Sequence, residues 1–313
     1  MNMGSSATET ATMRAVLLRA AGDTAALSVE LVEVPAPGPD EALVRVFAAG
    51  ITRDELGWPA ERLPAIPSYE LSGVVEALGG DVRDLATGEA VWALTPFDRD
   101  GVAAEYAVVP AALLAPKPRR LGHVASAAVP LAGLSAWQGL FDHGRLEPGE
   151  RVVVHGAGGG VGRFAVQLAR WRGAHVIGTA SSAGMEAARD AGAHEVLDRT
   201  GAGLDRAMGA ADLVFDTVGG EALARSEVLL RPGGRIVSLA EAPPPGLEAV
   251  YFVVEPRGDQ LAELSRLLEA GDLEPAIDSV FPLAEARAAF ERVEQSGKRG
   301  KVVIGVVDEQ TAT

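Results

Sequence analysis

The chain has 313 residues, 48% hydrophobic and 23% charged, a size and balance that exclude a largely disordered protein and predict two globular domains. Its 43 acidic residues outnumber 28 Lys plus Arg, for a net charge of −15 with no dense basic run, so a nucleic-acid partner is not expected. With no cysteine, disulfides, thiolate nucleophiles and thiolate-bound zinc are excluded, and no run of 18 apolar residues offers a membrane span.

In chain order, residues 1–12, MNMGSSATETAT, are small and polar and lack the blocks of a signal peptide, so they read as a disordered leader on a cytoplasmic protein. From Met13 to about Pro118, the short runs RAVLL, LSVELVEVP, EALVRVFAAG, SGVVEAL, EAVWAL and AAEYAVVP are separated by Gly, Pro and Asp clusters, which predicts a small barrel-like β domain. SAAVPLAGLSAWQGLF has apolar residues at helical spacing and predicts one inter-domain helix ending near Gly144. Strand-like and helix-like pieces then alternate: RVVVHG, a glycine loop with its helix, AHVIGTA, EAARDAG, HEVLD, ADLVFDTV, EALARSEVLL, GRIVSLA, AVYFVVE and DQLAELSRLLEAG. Alternation of this kind predicts an α/β fold with a doubly wound parallel sheet. The tail reads as a helix and a last strand returning to the first domain.

The most informative stretch is RVVVHGAGGGVGRFAVQLARWRG. An apolar strand, Val152 to Val154, runs into Gly156, Gly158, Gly159, Gly160 and Gly162, then into a helix with Val161, Phe164, Ala165, Leu168 and Trp171 on one face. Glycines let the backbone approach a pyrophosphate, whose charge meets the free N–H groups of the helix start, so Ala157, Gly158, Gly159, Gly160, Val161 and Gly162 are candidate cofactor-binding residues. The first glycine of the usual fingerprint is replaced by Ala157.

About 20 residues on, where an acidic residue normally grips the ribose of NAD, the chain reads GTASS. Ser181 and Ser182 can donate to a 2′-phosphate that a carboxylate would repel, so NADP(H) is favoured over NAD(H). No Lys or Arg between Arg172 and Arg189 supplies the cation such a phosphate wants.

MRAVLL, AAGITRDEL, IPSYELSGVVEALG, PLAGLSAWQGL, VVVHGAGGGVGRFAVQLAR, VFDTVGG, LLRPGGRIVSLA and GKVVI together resemble the medium-chain dehydrogenase/reductase superfamily, and within it the zinc-free quinone oxidoreductases and enoyl reductases. The resemblance implies a GroES-like catalytic barrel from residues 13–122 and 275–313, and a Rossmann dinucleotide-binding domain from residues 123–274, with the site in the cleft. It carries over Ser135, Thr217, Val218, Leu239, Phe252 and Val253 as residues around the nicotinamide. It also implies a homodimer through the edge strand AVYFVVE, the alternative being a monomer edge protected by Pro243, Pro244 and Pro245.

Zinc-dependent members read Gly-His-Glu where this chain reads Ser68-Tyr69-Glu70, and have a cysteine where it has Thr52. The five histidines, His123, His143, His155, His175 and His194, are scattered singly, so no metal is expected. Catalytic zinc stabilises a localised alkoxide, whereas hydride addition to a quinone or an α,β-unsaturated carbonyl spreads charge that hydrogen-bond donors can stabilise. The expected function is NADPH-dependent reduction of such a small-molecule acceptor without metal. Tyr69 reads either as the donor to the developing anion or as a packing residue. Thr52 is a candidate partner for substrate or ribose, Trp58 either walls an aromatic pocket or simply packs, and Glu70 reads as structural, pairing with an arginine such as Arg53. The rival readings are a zinc-free carbonyl or alcohol oxidoreductase and a non-catalytic nucleotide-binding or scaffold protein.

Overall fold

The computed structural model describes residues 11–200, 209 and 211–307. Residues 1–10 of the expected leader and residues 308–313 lie outside the described residues, while Thr12 already opens the first strand. The strands are β1 (Thr12–Leu18), β2 (Leu27–Glu33), β3 (Glu41–Ile51), β4 (Glu70–Leu78), β5 (Ala90–Leu94), β6 (Tyr106–Pro110), β7 (Ala115–Pro116), β8 (Arg151–His155), β9 (His175–Ala180), β10 (Glu195–Asp198), β11 (Ala211–Asp216), β12 (Leu230–Ser238), β13 (Val250–Tyr251), β14 (Ile277–Pro282) and β15 (Lys301–Gly305).

The GroES-like part is built on β3, eleven residues long and buried along most of its length. Around it runs a mostly antiparallel sheet in the order β14-β15-β3-β4-β5-β7, with β6 also paired to β3, while β1 and β2 form a separate hairpin. The chain end closes this sheet: β15 pairs with β3 through Val302↔Ile51 and Ile304↔Ala49, which sets Lys301 beside Thr52. Strand β14, parallel to β15, was not legible as a strand because its residues are half exposed and show no clean alternation.

Among the described residues the helices are α1 (His123–Ala127), α2 (Pro130–Trp137), α3 (Gly160–Trp171), α4 (Met185–Asp190), α5 (Gly220–Ala224), α6 (Gly258–Ala270) and α7 (Ala286–Glu294). The single inter-domain helix expected from SAAVPLAGLSAWQGLF is instead broken. Pro130 starts α2 afresh, and after Trp137 the chain widens into a π-helical turn, Gln138–His143, ending at Gly144. Helix α1 lies against the end of β3, where a Cβ on Gly50 would collide with the Ala127 carbonyl oxygen and sit 3.2 Å from the Glu70 Cβ.

The Rossmann-like part is a six-stranded parallel sheet in the order β10-β9-β8-β11-β12-β13. Connections wind in opposite directions from β8, so the strand order reverses between β8 and β11, and ligands of such sheets settle in the crevice beyond that point. AVYFVVE contributes only Val250 and Tyr251 to the sheet, each paired to β12. One apolar cluster joins the two parts, running from Tyr69, Trp92 and Leu94 through Val129, Leu131 and Leu134 to Val154, Phe215 and Phe252.

Candidate active site

At the switch point the chain leaves β8 through Gly156, whose φ of +77° favours glycine and whose missing side chain matters as much: a Cβ there would lie 2.8 Å from Val218 Cγ2 and closer to Thr217 Oγ1. The loop then reaches the start of α3. Gly159 and Gly160 are exposed there, and nothing lies within 4 Å of where a Gly160 Cβ would point, an open cradle over the unsatisfied N–H groups of a twelve-residue helix. Gly162 packs against Gly156 and Ala157. Val161 is half-buried. Ala157 replaces the usual glycine because β9 makes room: its methyl lies over Gly178, where a Cβ would come within 2.7 Å of it. The residues present fit a dinucleotide pyrophosphate.

At the end of β9 the serine reading needs correction. Ser182 Oγ donates to Asp198 Oδ2 at 2.7 Å, so its donor is spent. Asp198, at the end of β10, also accepts from the Thr200 hydroxyl at 2.6 Å and N–H at 2.8 Å, contacts that with Ser182 hold its carboxyl down to about 2. Parallel pairing therefore brings a carboxylate to this loop that the local stretch GTASS lacks. It also brings a cation: Arg199 N donates to Ala180 O at 2.9 Å, its side chain is exposed, and its charge reaches Asp198. Ser181 is exposed and precedes the short turn Ser182–Gly184. The sequence reading missed Asp198 and Arg199 because strand pairing, not chain spacing, places them here.

Beyond β11 the buried Asp216 organises the loop at the other side of the crevice. It accepts from Val218 N at 3.2 Å, Gly219 N at 3.0 Å and Ser238 Oγ at 2.9 Å, while Leu239 N donates to its carbonyl at 3.2 Å. Thr217 Oγ1 donates to His155 O at 2.7 Å, tying the ends of β11 and β8 together and leaving Val218 43% exposed. His155 shares a 2.8 Å hydrogen bond with Thr179 Oγ1, and burial keeps its imidazole below its ordinary pKa against the pull of Asp216. Ser135 is buried on α2.

The π-helical turn has a visible task. Gln138 accepts from Glu255 N at 2.9 Å and donates to Glu255 O at 2.8 Å and to Gln260 Oε1 at 2.9 Å, fixing the segment after β13. Within that segment the Phe252 ring is buried, 4.5 Å from the His143 ring, so it serves the core, and Val253 is the residue that faces outward.

Tyr69 sits on the barrel side of the apolar cluster that joins the two parts. Its ring is fully buried in a trio with Trp58 and Phe97, at centroid distances of 5.5 and 5.3 Å, and Trp58, 39% exposed, forms the outer wall. The Thr95 N–H and hydroxyl hold its carbonyl at 2.7 and 3.1 Å. Its own hydroxyl is buried with no hydrogen-bond partner among the described residues. Burial raises the phenol pKa; the Arg62 guanidinium, anchored on Phe97 O at 2.9 Å, opposes that rise from outside good hydrogen-bond geometry.

Under Tyr69 lies a buried polar cluster. Glu70, 1% exposed, forms an ion pair with Lys301 and accepts from Leu131 N at 2.9 Å, so one carboxylate fastens β4, β15 and the first turn of α2. Arg53 is not its partner; that guanidinium donates to Glu294 O at 3.0 Å. Thr52 Oγ1 accepts from Lys301 Nζ at 2.7 Å and lies 3.3 Å from Glu70 Oε1, which leaves one lone pair for another donor. Sequence reading missed Lys301, nearly 250 residues from Thr52, and Glu55 beside it. The histidines are not all solitary either: His175, at the start of β9, and His194, just before β10, stack at 4.5 Å. Among the described residues no group of three or more His, Cys, Asp or Glu could hold a metal, and no helix is long and apolar enough to cross a membrane.

A parallel sheet with a glycine loop at its switch point, facing a barrel across a buried aromatic crevice, defines a nicotinamide-dependent oxidoreductase class. The comparisons give the family: the model described as "Alcohol dehydrogenase GroES-like domain" matches residues 38–119 and "Zinc-binding dehydrogenase" matches residues 191–304, and the chain belongs to the medium-chain dehydrogenase/reductase superfamily. The "Probable zinc-binding oxidoreductase, mitochondrial" of Arthroderma benhamiae is 33% identical over 90% of this chain and 93% of its own length. The "NADPH-dependent alkenal/one oxidoreductase, chloroplastic" of Arabidopsis thaliana is 30% identical over 87% of this chain and 73% of its own. Among solved structures, the quinone oxidoreductase from Coxiella burnetii superposes with a TM-score of 0.86 at 27% identity, covering 95% of this chain and all of that one.

Proposed function

We propose that this oxidoreductase uses NADPH to reduce a quinone or an α,β-unsaturated carbonyl without a metal. The observation that carries the reading is the Tyr69 hydroxyl, buried among aromatic rings with no hydrogen-bond partner in good geometry among the described residues. Leaving such a group unsatisfied costs about 1–3 kcal/mol, a cost that an acceptor oxygen on a bound substrate would remove. When bound, the reduced nicotinamide supplies the hydride. Tyr69 then meets the charge that develops on the conjugated oxygen, donating its hydrogen bond or proton, while Trp58 and Phe97 stack against a flat acceptor and keep water away.

The donor set at the metal position does not fit zinc. Thr52 and Tyr69 offer hydroxyls, there is no thiolate, and the Lys301 ammonium would repel a cation. For the coenzyme, Arg199 offers the 2′-phosphate a guanidinium with Ser181 nearby, whereas the Asp198 oxygens are already engaged by Ser182 and Thr200. Val250 and Tyr251, half exposed on the sheet edge, support a homodimer through β13, checked by solution mass.

The test is NADPH and NADH oxidation across quinones, enones, enoyl thioesters and aldehydes, with the Tyr69→Phe variant beside the wild type. Turnover of conjugated acceptors with NADPH is expected, with kcat for Tyr69→Phe down by about 100-fold. Oxidation driven by aldehydes alone would instead indicate a carbonyl reductase, and tight coenzyme binding with no oxidation a non-catalytic protein.

A further inference from the structure

Beside the aromatic trio lies a cation to which the reaction scheme gives no task. Arg62 belongs to the turn after Trp58, where its N–H donates to Pro59 O at 2.8 Å. From there the half-buried guanidinium reaches Phe97, and Nη2 donates to the Phe97 main-chain oxygen at 2.9 Å. Phe97 packs its ring 5.0 Å from Trp58 and 5.3 Å from Tyr69. The charge is thus fastened to the residue whose ring touches both other members of the trio. Burial raises the Tyr69 pKa and Arg62 pulls the other way, so the cation is felt at the phenol.

No carboxylate answers this charge. Among the described residues Arg62 forms no ion pair, on a chain with 43 acidic residues. Asp100, whose charge also reaches Tyr69, accepts from Ile66 N at 3.1 Å instead. Other half-buried arginines are answered: Arg99 by Glu41, Arg151 by Glu195, Arg235 by Glu150 and Arg292 by Asp278, while Arg45 lies over the Phe47 ring. Arg163, in the first turn of α3, shares the condition of Arg62, with the Ala187 carbonyl at 3.3 Å as its partner. A guanidinium presents a fork of N–H donors matched to a carboxylate, and the Phe97 oxygen leaves most of that fork open.

We propose that Arg62 is a specificity-determining residue that selects acceptors carrying a carboxylate on a short chain beside the conjugated carbonyl, an inference that rests on the reductase reading above. The carboxylate meets the guanidinium fork while the carbonyl oxygen of the same molecule meets the Tyr69 hydroxyl. One small acceptor then satisfies both the unanswered charge and the unpaired phenol. Two fixed points orient it against the rings of Trp58 and Phe97. Lys301 does not compete for the carboxylate, since Glu70 and Thr52 hold it. A net charge of −15 disfavours anions at long range, which makes a local cation decisive.

The probes are (E)-6-oxo-4-heptenoate and its methyl ester, an enone whose methylenes insulate the carboxylate from the conjugated system, so that the two are equally electrophilic. They are compared by kcat/KM with saturating NADPH in the wild type, Arg62→Gln and Arg62→Lys, after thermal melts have shown each to be folded. Arg62→Gln can still donate to Phe97 O but carries no charge. The wild type should prefer the acid by about tenfold to a hundredfold, Arg62→Gln should lose the preference, and Arg62→Lys should keep part of it. The ratio of two acceptors in one protein is read, so a general loss of activity does not imitate the effect. A wild type that treats the two alike or favours the ester overturns the proposal without any variant, and a preference that survives in Arg62→Gln overturns it as well. If neither probe is turned over, the same comparison is made by quenching of Trp58 fluorescence, with Trp58→Phe as reference. The acid should then bind the wild type at least about tenfold more tightly than the ester, and equal affinities overturn the proposal. The reductase reading itself fails only if the whole panel of quinones, enones, enoyl thioesters and aldehydes is left unreduced.

Discussion

The two ends of the crevice are built on opposite plans. The glycine loop between β8 and α3 is main chain held by close packing, with no side-chain charge in its cradle, and it comes from seven consecutive residues. The cluster around and under Tyr69 is made of charged and aromatic side chains from the β3–β4 connection, β4, β15 and the turn after β5. One end offers shape and oriented N–H groups, the other depends on a charge balance. Damage should therefore look different at each end.

The largest effect is expected where charge balance fails. Lys301→Met leaves the Glu70 carboxylate buried without its counter-ion, and should cost about 3–5 kcal/mol of stability in denaturant titration. Adding Glu70→Gln should recover part of it, because the uncompensated charge is then gone. Recovery would confirm that the crevice is an electrostatic unit; equal loss in both proteins would reduce it to packing.

At the other end, Gly160→Asp should fold normally, since nothing lies within 4 Å of the new Cβ, yet place a carboxylate in the cradle. Repulsion of about 3 kcal/mol predicts a loss of NADPH affinity on the order of a hundredfold, read by fluorescence titration. Unchanged affinity would move the pyrophosphate away from α3. The smallest effect is expected at the rim: Arg199→Ala should lower the preference for NADPH over NADH by about tenfold, the worth of one exposed charge-assisted contact, and leave NADH kinetics unchanged. Equal weakening of both coenzymes would remove Arg199 from the 2′-phosphate.

The same contrast explains what could be read in advance. Alternating strand and helix patterns made the parallel sheet legible, and the glycine loop carries its own turn, so Gly156 to Gly162 fell where expected. Strand β14 and the break at Pro130 escaped because neither leaves a clean period in the apolar residues. The Phe252 ring lies 4.5 Å from the His143 ring, a placement made by packing that chain spacing does not show.

By itself the sequence determined the fold class and the place of the glycine loop between β8 and α3, because these depend on residue type and on spacing within a few turns of chain. Only the tertiary structure decided that Lys301 neutralises Glu70, that Glu55 lies buried with its carboxylate on the Thr52 N–H, and that Asp198 and Arg199 share the loop with Ser182. Those contacts join residues far apart in the chain, and charge, unlike periodicity, acts through space and takes its strength from burial.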